Sequence, residues 1–446
     1  MNPEIFKAYD VRGRVGSELT VEVCWNIGKA LADFLPNDGA VAVGYDMRPD
    51  SKQLAEAVIE GVRLQGRDVI NIGLVSTDMI YFAVGKLGLA GGAMVTASHN
   101  PGDYNGIKLC REEAKPIGIE TGLLEIRDAA MAGNFVPAAE KGNLTDKDVR
   151  EEWVQHVLSF VEVSKWPQYH IAIDAGNGML GAIAPVLEPH VPLKIERMYF
   201  ELDGTFPNHI ANPLEPKNII DLQQKIRSEA LDFGIAFDGD GDRAVLVDET
   251  GEPVSGTVMT AILAKYFLSR HPNATILYNA ICGRIVPETV EANSGTAIRT
   301  KVGHSYIKAK MREHDAVFAG EHSSHYYFRD NWSADSGLLA AMIAIEVLAQ
   351  SGKKLSQLAA EFKKYVAIPE TNFEVADKTA VLESLKQTFT DGQKDELDGL
   401  TVNYSNAWFN VRGSNTEPLI RLNAEATTVD ELEELVARVR AVIEKA

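Results

Sequence analysis

Three aspartates at alternate positions, Asp238-Gly-Asp240-Gly-Asp242, followed at once by Arg243, form the densest chemical feature of this 446-residue sequence. Alternate residues of an extended chain project to one side, and the intervening glycines let the loop wrap around an ion. Carboxylate oxygens suit a hard cation such as Mg²⁺ or Ca²⁺, and three of them held together repel one another without one. The spacing imitates a calcium-binding EF-hand loop, with Glu249 at the twelfth position. It departs from that loop where Arg243 replaces the glycine required at the sixth, and strands rather than helices are expected on either side. A rival reading makes Asp238 the nucleophile of an aspartyl-phosphate enzyme. The other candidate nucleophile is Ser98, in Thr96-Ala97-Ser98-His99-Asn100-Pro101. It follows a strand and precedes a sharp Asn-Pro turn, since a residue before proline is pushed out of the helical region. Adjacent side chains are expected to diverge, so a hydrolase-like triad for Ser98 needs a base from elsewhere in the chain rather than from His99.

Two further loops carry groups that suit a polar ligand. Gly320-Glu321-His322-Ser323-Ser324-His325 supplies a carboxylate, hydroxyls and imidazoles fit for sugar hydroxyls. Arg412-Gly413-Ser414-Asn415-Thr416-Glu417-Pro418 joins a guanidinium, hydroxyls and an amide in a tight turn, a combination that can surround a phosphate. His304, in Lys301-Val-Gly-His304-Ser-Tyr-Ile-Lys308, opens a helix after a strand and is either a proton shuttle or a residue of the helix start.

These loops need rigid elements behind them, and the sequence supplies a rhythm of strands and helices. Residues 40–45 (AVAVGY) read as a buried strand, 53–65 as a helix with apolar residues at helical spacing, 68–73 as a strand, and 92–96 as another. A helix begins at Thr77, with Thr77 or Asp78 as its cap. Strands at 169–173 and 233–237 flank a helical 218–230, and strands are expected at 274–279, 297–302 and 316–319. Such alternation means mostly parallel sheets with helices on their faces. The last stretch differs. Strands at 401–404, 408–411 and 419–423 form an antiparallel group before a helix at 429–444, the pattern of an α+β domain. In each of the first three units an apolar strand runs straight into one of the polar loops, where open α/β sheets bind ligands.

Composition sets outer limits. A chain this long exceeds one core, so several domains are expected. A net charge of −19 argues against nucleic acid or an anionic membrane as partner, although a local pocket of Lys and Arg can still take a small phosphorylated ligand. The longest mostly apolar run, 337–349, is broken by Glu346 and is too short to span a bilayer. The N-terminal residues lack the pattern of a signal peptide. Cys24, Cys110 and Cys282 show no metal-binding or disulfide spacing, so the cytoplasm is the expected location.

Taken in order, TASHNP, DGDGDR, GEHSSH and RGSNTEP resemble the four signature loops of the α-D-phosphohexomutase superfamily, and the resemblance runs from Phe6 to Pro418. SNTEP and GEHSSH are similar to the forms of the phosphomannomutase/phosphoglucomutase branch. The resemblance implies three similar mixed-sheet α/β domains (1–145, 146–249 and 250–367) and a smaller C-terminal α+β domain (368–446) around a central cleft. It implies a phosphomannomutase that interconverts mannose 1-phosphate and 6-phosphate through a phosphoserine and a 1,6-bisphosphate, acting on glucose phosphates as well. Phosphoglucomutase and phosphoglucosamine mutase are the near alternatives, an aspartyl-phosphate phosphatase or a non-catalytic sugar-phosphate sensor the remote ones. By position, Ser98 is then the phosphoserine, and Asp238, Asp240 and Asp242 hold one Mg²⁺ per chain with an oxygen of phosphorylated Ser98. His99, Lys108, Arg243 and His304 join the catalytic group. Tyr9, Arg12 and the loop from Glu321 through His322, Ser323 and Ser324 to His325 meet the sugar, as does His304. Arg412, Gly413, Ser414, Asn415 and Thr416 grip the phosphate that is not reacting. A hexose 1,6-bisphosphate is the implied activator, the partners are hexose phosphates, and no obligate protein partner is implied. One departure is Ile281, which falls where many relatives place a base; Arg284 is the nearest candidate to replace it.

Phosphopeptide mapping of the active protein is expected to place an acid-stable, hydroxylamine-resistant phosphate on Ser98. A hydroxylamine-labile acyl phosphate on Asp238 would select the phosphatase reading instead.

Overall fold

The computed structural model describes residues 1–413 and 419–445. The chain divides into two compact units, one of Met1–Ser255 with Ser323–Leu358 and the other of Gly256–His322 with Ala359–Ala446.

The first unit opens with a six-stranded mixed sheet. It holds β1 (Val11–Arg14), β2 (Val41–Tyr45), β3 (Val69–Leu74), β4 (Gly91–Val95), β5 (Tyr104–Arg111) and β6 (Leu144–Asp146), in the order β1-β5-β4-β2-β3-β6. β2 runs parallel to β3 and β4, whereas β5 returns antiparallel to β4. β2 and β4 are buried along most or all of their length, which is why they read as unbroken apolar runs. Helices α1 (Val21–Phe34) and α2 (Ser51–Leu64) pack on each other, and Ile27, Leu31, Val58 and Val62 belong to the same buried core. Helix α3 (Thr77–Leu87) begins at Thr77 as expected, but its cap lies one residue before the expected one. Ser76 is the N-cap, with extended backbone, while Thr77 is already helical and its hydroxyl is turned onto Asp240.

A second sheet of this unit contains β7 (Tyr169–Asp174), β8 (Leu193–Met198), β9 (Phe233–Phe237) and β10 (Ala244–Asp248), in the order β10-β9-β7-β8. The sequence pattern marks β7 and β9 but not β8, where Lys194, Glu196 and Arg197 interrupt the apolar residues and only Met198 is buried. β10 pairs antiparallel with β9, so the chain leaves β9, makes a tight loop over residues 238–243 and returns beside itself. The helix Gly337–Ser351 packs on β10, and its N-cap Ser336 accepts a hydrogen bond from the Leu339 N–H.

In the second unit β11 (Thr275–Asn279) pairs parallel with β12 (Thr296–Thr300) and with β13 (Phe318–Gly320). The helix Gly256–Arg270 is buried over most of its length. The C-terminal part is antiparallel: Leu400–Asn403, Ala407–Gly413 and Leu419–Ala426 are consecutive neighbours, and Thr371–Glu374 pairs with the last. Phe389, Phe409, Leu422 and Leu435 lie in its core, to which the helices Lys378–Thr388 and Val429–Ile443 contribute. The architecture is α/β with mixed sheets. Among the described residues no helix is long and apolar enough to cross a membrane.

The α1–α2 contact relies on two glycines. A Cβ at Gly61 would overlap the Trp25 carbonyl, and one at Gly28 the Val58 carbonyl. Gly61→Ala is therefore expected to destabilise by about 1–3 kcal/mol through overpacking, despite a helix-propensity gain of up to about 1 kcal/mol. The measurement is the thermal denaturation midpoint; an unchanged or higher value would show that the helices separate without cost.

Candidate functional site

The loop between β9 and β10 buries Asp238, Asp240 and Asp242 almost completely. One oxygen of each lies within 4.8 Å of the others, so the three can hold a metal ion. Two cations answer them from the protein itself. Lys108, pointing from β5, places Nζ 2.7 Å from Asp240 Oδ2 and 2.6 Å from Asp242 Oδ2. Arg243 donates from Nε to Asp238 Oδ2 at 3.0 Å and from its backbone N–H to Asp238 Oδ1 at 3.1 Å. Burial, and next the negative charge of Asp242, push the Asp238 carboxyl up to about 8. Burial also opposes ionisation of Asp242, but Lys108 and His325 outweigh it and hold that carboxyl well below the usual range. Against the cost of its own burial, Lys108 is held protonated by Asp240 and Asp242. His325 Nε2 lies 3.5 Å from Asp242 Oδ1. Among the described residues Asp240 Oδ1 and Asp242 Oδ1 are buried without a hydrogen-bond partner. Such oxygens on a carboxylate loop fit a hard divalent cation. Glu249, the twelfth residue of the EF-hand spacing, instead accepts from the Ser356 N–H at 3.2 Å, and strands flank the loop, so the calcium-hand reading does not hold.

Ser98 meets this loop directly. Its hydroxyl donates to Asp238 Oδ2 at 2.8 Å and lies 3.0 Å from His99 Nδ1. The expected divergence of these adjacent side chains is corrected by the backbone: Ser98 has φ of 51°, a left-handed conformation that brings the two side chains together. The same His99 nitrogen contacts Arg243 Nη2. Burial first, then Arg243 and Arg12, keep the imidazole neutral. Arg12 bonds Asp10 at 2.8 Å and reaches Asn100 Oδ1. Gly239 is required here because a Cβ would stand 2.5 Å from the Ser98 carbonyl oxygen. The strained segment is held by Arg48, whose guanidinium donates to the carbonyls of Ser98 (2.8 Å), Asn100 (2.6 Å), Pro101 (2.8 Å) and Tyr104 (2.8 Å). Asp46 lies beside Arg48 Nε at 3.5 Å, both side chains being buried.

The structure thus brings Arg12, Ser98, His99, Lys108, the three aspartates, Arg243 and His325 together within the first unit. Tyr9 and Ser323 belong to the same unit, Ser323 with its hydroxyl 3.0 Å from His325 Nδ1. Ser324 is fully buried, at φ of 61°. In the second unit Glu321 accepts from Asn279 Nδ2 at 2.9 Å, and His322 is kept neutral mainly by burial. His304 begins the helix His304–Glu313, directly after Gly303 at φ of 130°. Arg412 pairs with Glu370 at 2.9 Å, and the same carboxylate takes Arg421 at 3.0 Å; Gly413 ends the strand. Ser414, Asn415 and Thr416 lie outside the described residues. Arg284 does not stand in for a base at the buried Ile281. Its guanidinium is occupied by the carbonyls of Tyr404, Ser405 (2.9 Å) and Ala407 (2.8 Å).

Sequence reasoning missed Arg48, Thr77 and Glu370. The segment GYDMRPD at the end of β2 carries the same strand-into-polar-loop signal as the other loops, and could have drawn attention to Arg48. Glu370 has no local signal, since its partners lie 42 and 51 residues further on.

Four family models match successive parts of the chain. They are described as phosphoglucomutase/phosphomannomutase α/β/α domain I (residues 3–135), domain II (151–251), domain III (255–365) and C-terminal domain (370–442). Among curated proteins the chain is 41% identical over 426 residues to phosphohexose mutases of Xanthomonas campestris pv. campestris, covering 94% of each chain. It is 37% identical over 435 residues to a phosphomannomutase of Salmonella montevideo, covering 95% of each. Among solved structures, a phosphoglucomutase/phosphomannomutase family protein from Burkholderia thailandensis superposes with a TM-score of 0.92 at 30% identity. That match covers 100% of this chain and 98% of the other.

Arg48→Met is expected to destabilise the protein by about 3–5 kcal/mol, because it leaves Asp46 as an uncompensated buried charge and removes a donor from each of four carbonyls. Limited proteolysis should find the segment 97–104 cut faster in this variant than in Arg48→Lys. Equal protection of all three proteins would show that the guanidinium does not hold the loop.

Proposed function

This chain belongs to the phosphoglucomutase/phosphomannomutase family, whose members are isomerases of phosphohexoses, and on that premise we propose that it interconverts mannose 1-phosphate and mannose 6-phosphate. Glucose 1- and 6-phosphates are substrates of the same site, and a phosphoserine and a hexose 1,6-bisphosphate are the intermediates. The observation that carries the reading is the Ser98 hydroxyl, 2.8 Å from Asp238 within a buried cluster that also contains Lys108 and Arg243. The four domains proposed for this work are 1–145, 146–249, 250–367 and 368–446. A cytoplasmic location without an obligate protein partner goes with a reaction on free hexose phosphates.

Phosphoryl transfer needs positioning and charge neutralisation more than covalent chemistry from the protein. Asp238, Asp240 and Asp242 would hold one Mg²⁺ per chain, which when bound neutralises oxygens of the transferring group. Ser98 donates its phosphoryl to the 6-hydroxyl of a hexose 1-phosphate: the bond from phosphorus to Ser98 Oγ breaks and one to the sugar oxygen forms. Arg243 and Lys108 steady the charge on that group. The bisphosphate then turns, Ser98 accepts the phosphate at position 1, and the 6-phosphate leaves. The left-handed backbone at Ser98, fixed by Arg48, presents the hydroxyl to the cluster in both half-reactions. Glu321 and Ser323 bind ring hydroxyls, with His304, His322, Ser324 and His325 beside the sugar, and Tyr9 and Arg12 contribute to the same lining. Arg412, with Gly413 and the loop residues Ser414, Asn415 and Thr416, grips the phosphate that is not reacting. The aspartyl-phosphate alternative is disfavoured because both oxygens of Asp238 already accept hydrogen bonds from Arg243.

Mannose and glucose differ only at the 2-hydroxyl, for which no dedicated partner is assigned, so discrimination should be modest. Coupled assays with mannose, glucose and glucosamine 1-phosphates, primed with a 1,6-bisphosphate, test this. The mannose and glucose compounds are expected to differ in kcat/KM by no more than roughly two orders of magnitude. EDTA should abolish the activity and Mg²⁺ restore it. Turnover of none of the three, or full activity after chelation, would overturn the assignment, and a preference beyond about four decades would overturn the account of specificity.

A further inference from the structure

Thr77 belongs to none of the four signature loops, yet it grips one of their aspartates twice. Its hydroxyl donates to Asp240 Oδ2 at 2.6 Å, and its backbone N–H, at the first position of α3, donates to the Asp240 carbonyl at 3.0 Å. We propose that Thr77 is a positioning residue for the metal site, setting the orientation in which the Asp240 carboxylate faces a divalent cation. The inference rests on the reading of the aspartate triad as a metal site.

The two oxygens of Asp240 are in unlike situations. Oδ2 receives two donors, Thr77 from α3 and Lys108 from β5. Oδ1 is buried and has no hydrogen-bond partner among the described residues. Two donors arriving from different elements fix the plane of the carboxylate, and Oδ1 is then the oxygen left to coordinate. Groups that orient a metal ligand in this way are part of the site's affinity.

The donor is itself rigid. Thr77 is fully buried, and a β-branched side chain has few χ1 states at a helix start. The turn that carries it is anchored from a third direction. Asp78 accepts from Ser76 and, at 2.6 Å, from Ser336, the N-cap of the helix Gly337–Ser351. Gly337 in turn lies against the backbone of Gly241 and Arg243, where a Cβ would stand 2.8 Å from their carbonyl oxygens. The aspartate loop is thus held between two helix starts, and Thr77 is the residue that passes this fixation to a ligand oxygen. Lys108 alone would leave the carboxylate free to rotate about a single flexible cation.

The test compares Thr77→Val, which keeps the shape and removes the hydroxyl, with Thr77→Ser, which keeps the hydroxyl. Mn²⁺ binding to the full chain, without sugar phosphate, is followed by electron paramagnetic resonance, and thermal denaturation is recorded in parallel. Thr77→Val is expected to raise the Mn²⁺ Kd by about 10- to 100-fold, with Thr77→Ser close to the parent protein. In assays the valine variant should need more Mg²⁺ for half-maximal rate. An unchanged Kd in Thr77→Val, with or without a lower denaturation midpoint, would overturn the proposal and leave the metal site standing. Equal weakening in both variants would also overturn it, since packing rather than the hydroxyl would then be responsible. Failure of the parent protein to bind Mn²⁺ would overturn the metal reading together with the inference built on it.

Discussion

Carboxylates whose oxygens lie within 4.8 Å of one another, all buried, repel by about 3 to 4 kcal/mol per pair at an effective dielectric constant of roughly 20. Most of what surrounds residues 238–243 answers that repulsion. Lys108 bridges two of the acids, Arg243 holds the third, and Ser98 and Thr77 add donors to the Asp238 and Asp240 oxygens those cations already hold. With all three acids ionised, the nearest formal charges are three negative and two positive. A divalent cation would add two positive charges and a phosphoryl group on Ser98 up to about two negative ones, so the buried sum is nearly the same with both present as with neither. By charge alone the cluster would tolerate the pair far better than either alone.

Fixing the charges demands unusual backbone. Ser98 stands in a left-handed conformation that a serine adopts only when its surroundings compel it, and Arg48 supplies the compulsion through four carbonyls. Gly239 removes the side chain that would keep the serine and aspartate loops apart. The second unit likewise satisfies buried polar groups internally: Asn279 holds Glu321, and Glu370 holds both Arg412 and Arg421.

The elements of the fold were largely readable because buried strands and amphipathic helices impose their periods directly on the chain, as AVAVGY and the last helix do. β8 escaped because a half-exposed strand need not be apolar. The aspartate loop and Ser98 were legible from residue type and spacing, and four motifs in order made the family recognisable. What could not be read was the support behind them. Thr77 looks like an ordinary helix start and Arg48 like a loop arginine, and their roles depend on partners brought close only by folding. The expected divergence of Ser98 and His99 failed for a related reason: their meeting depends on one backbone angle that residue type alone does not announce.

The contacts that neutralise the acid cluster join distant parts of the chain. Lys108 and Asp240 are 132 residues apart, Ser98 and Asp238 are 140, and Thr77 and Asp240 are 163. During synthesis the segment bearing Ser98, Lys108 and Thr77 therefore emerges well before the acids that complete it. Until then Lys108 has no counter-charge from the loop, and burying it would be costly. A chain ending before residue 238 lacks the acids that pair with Lys108 and Ser98, however well its first sheet has folded.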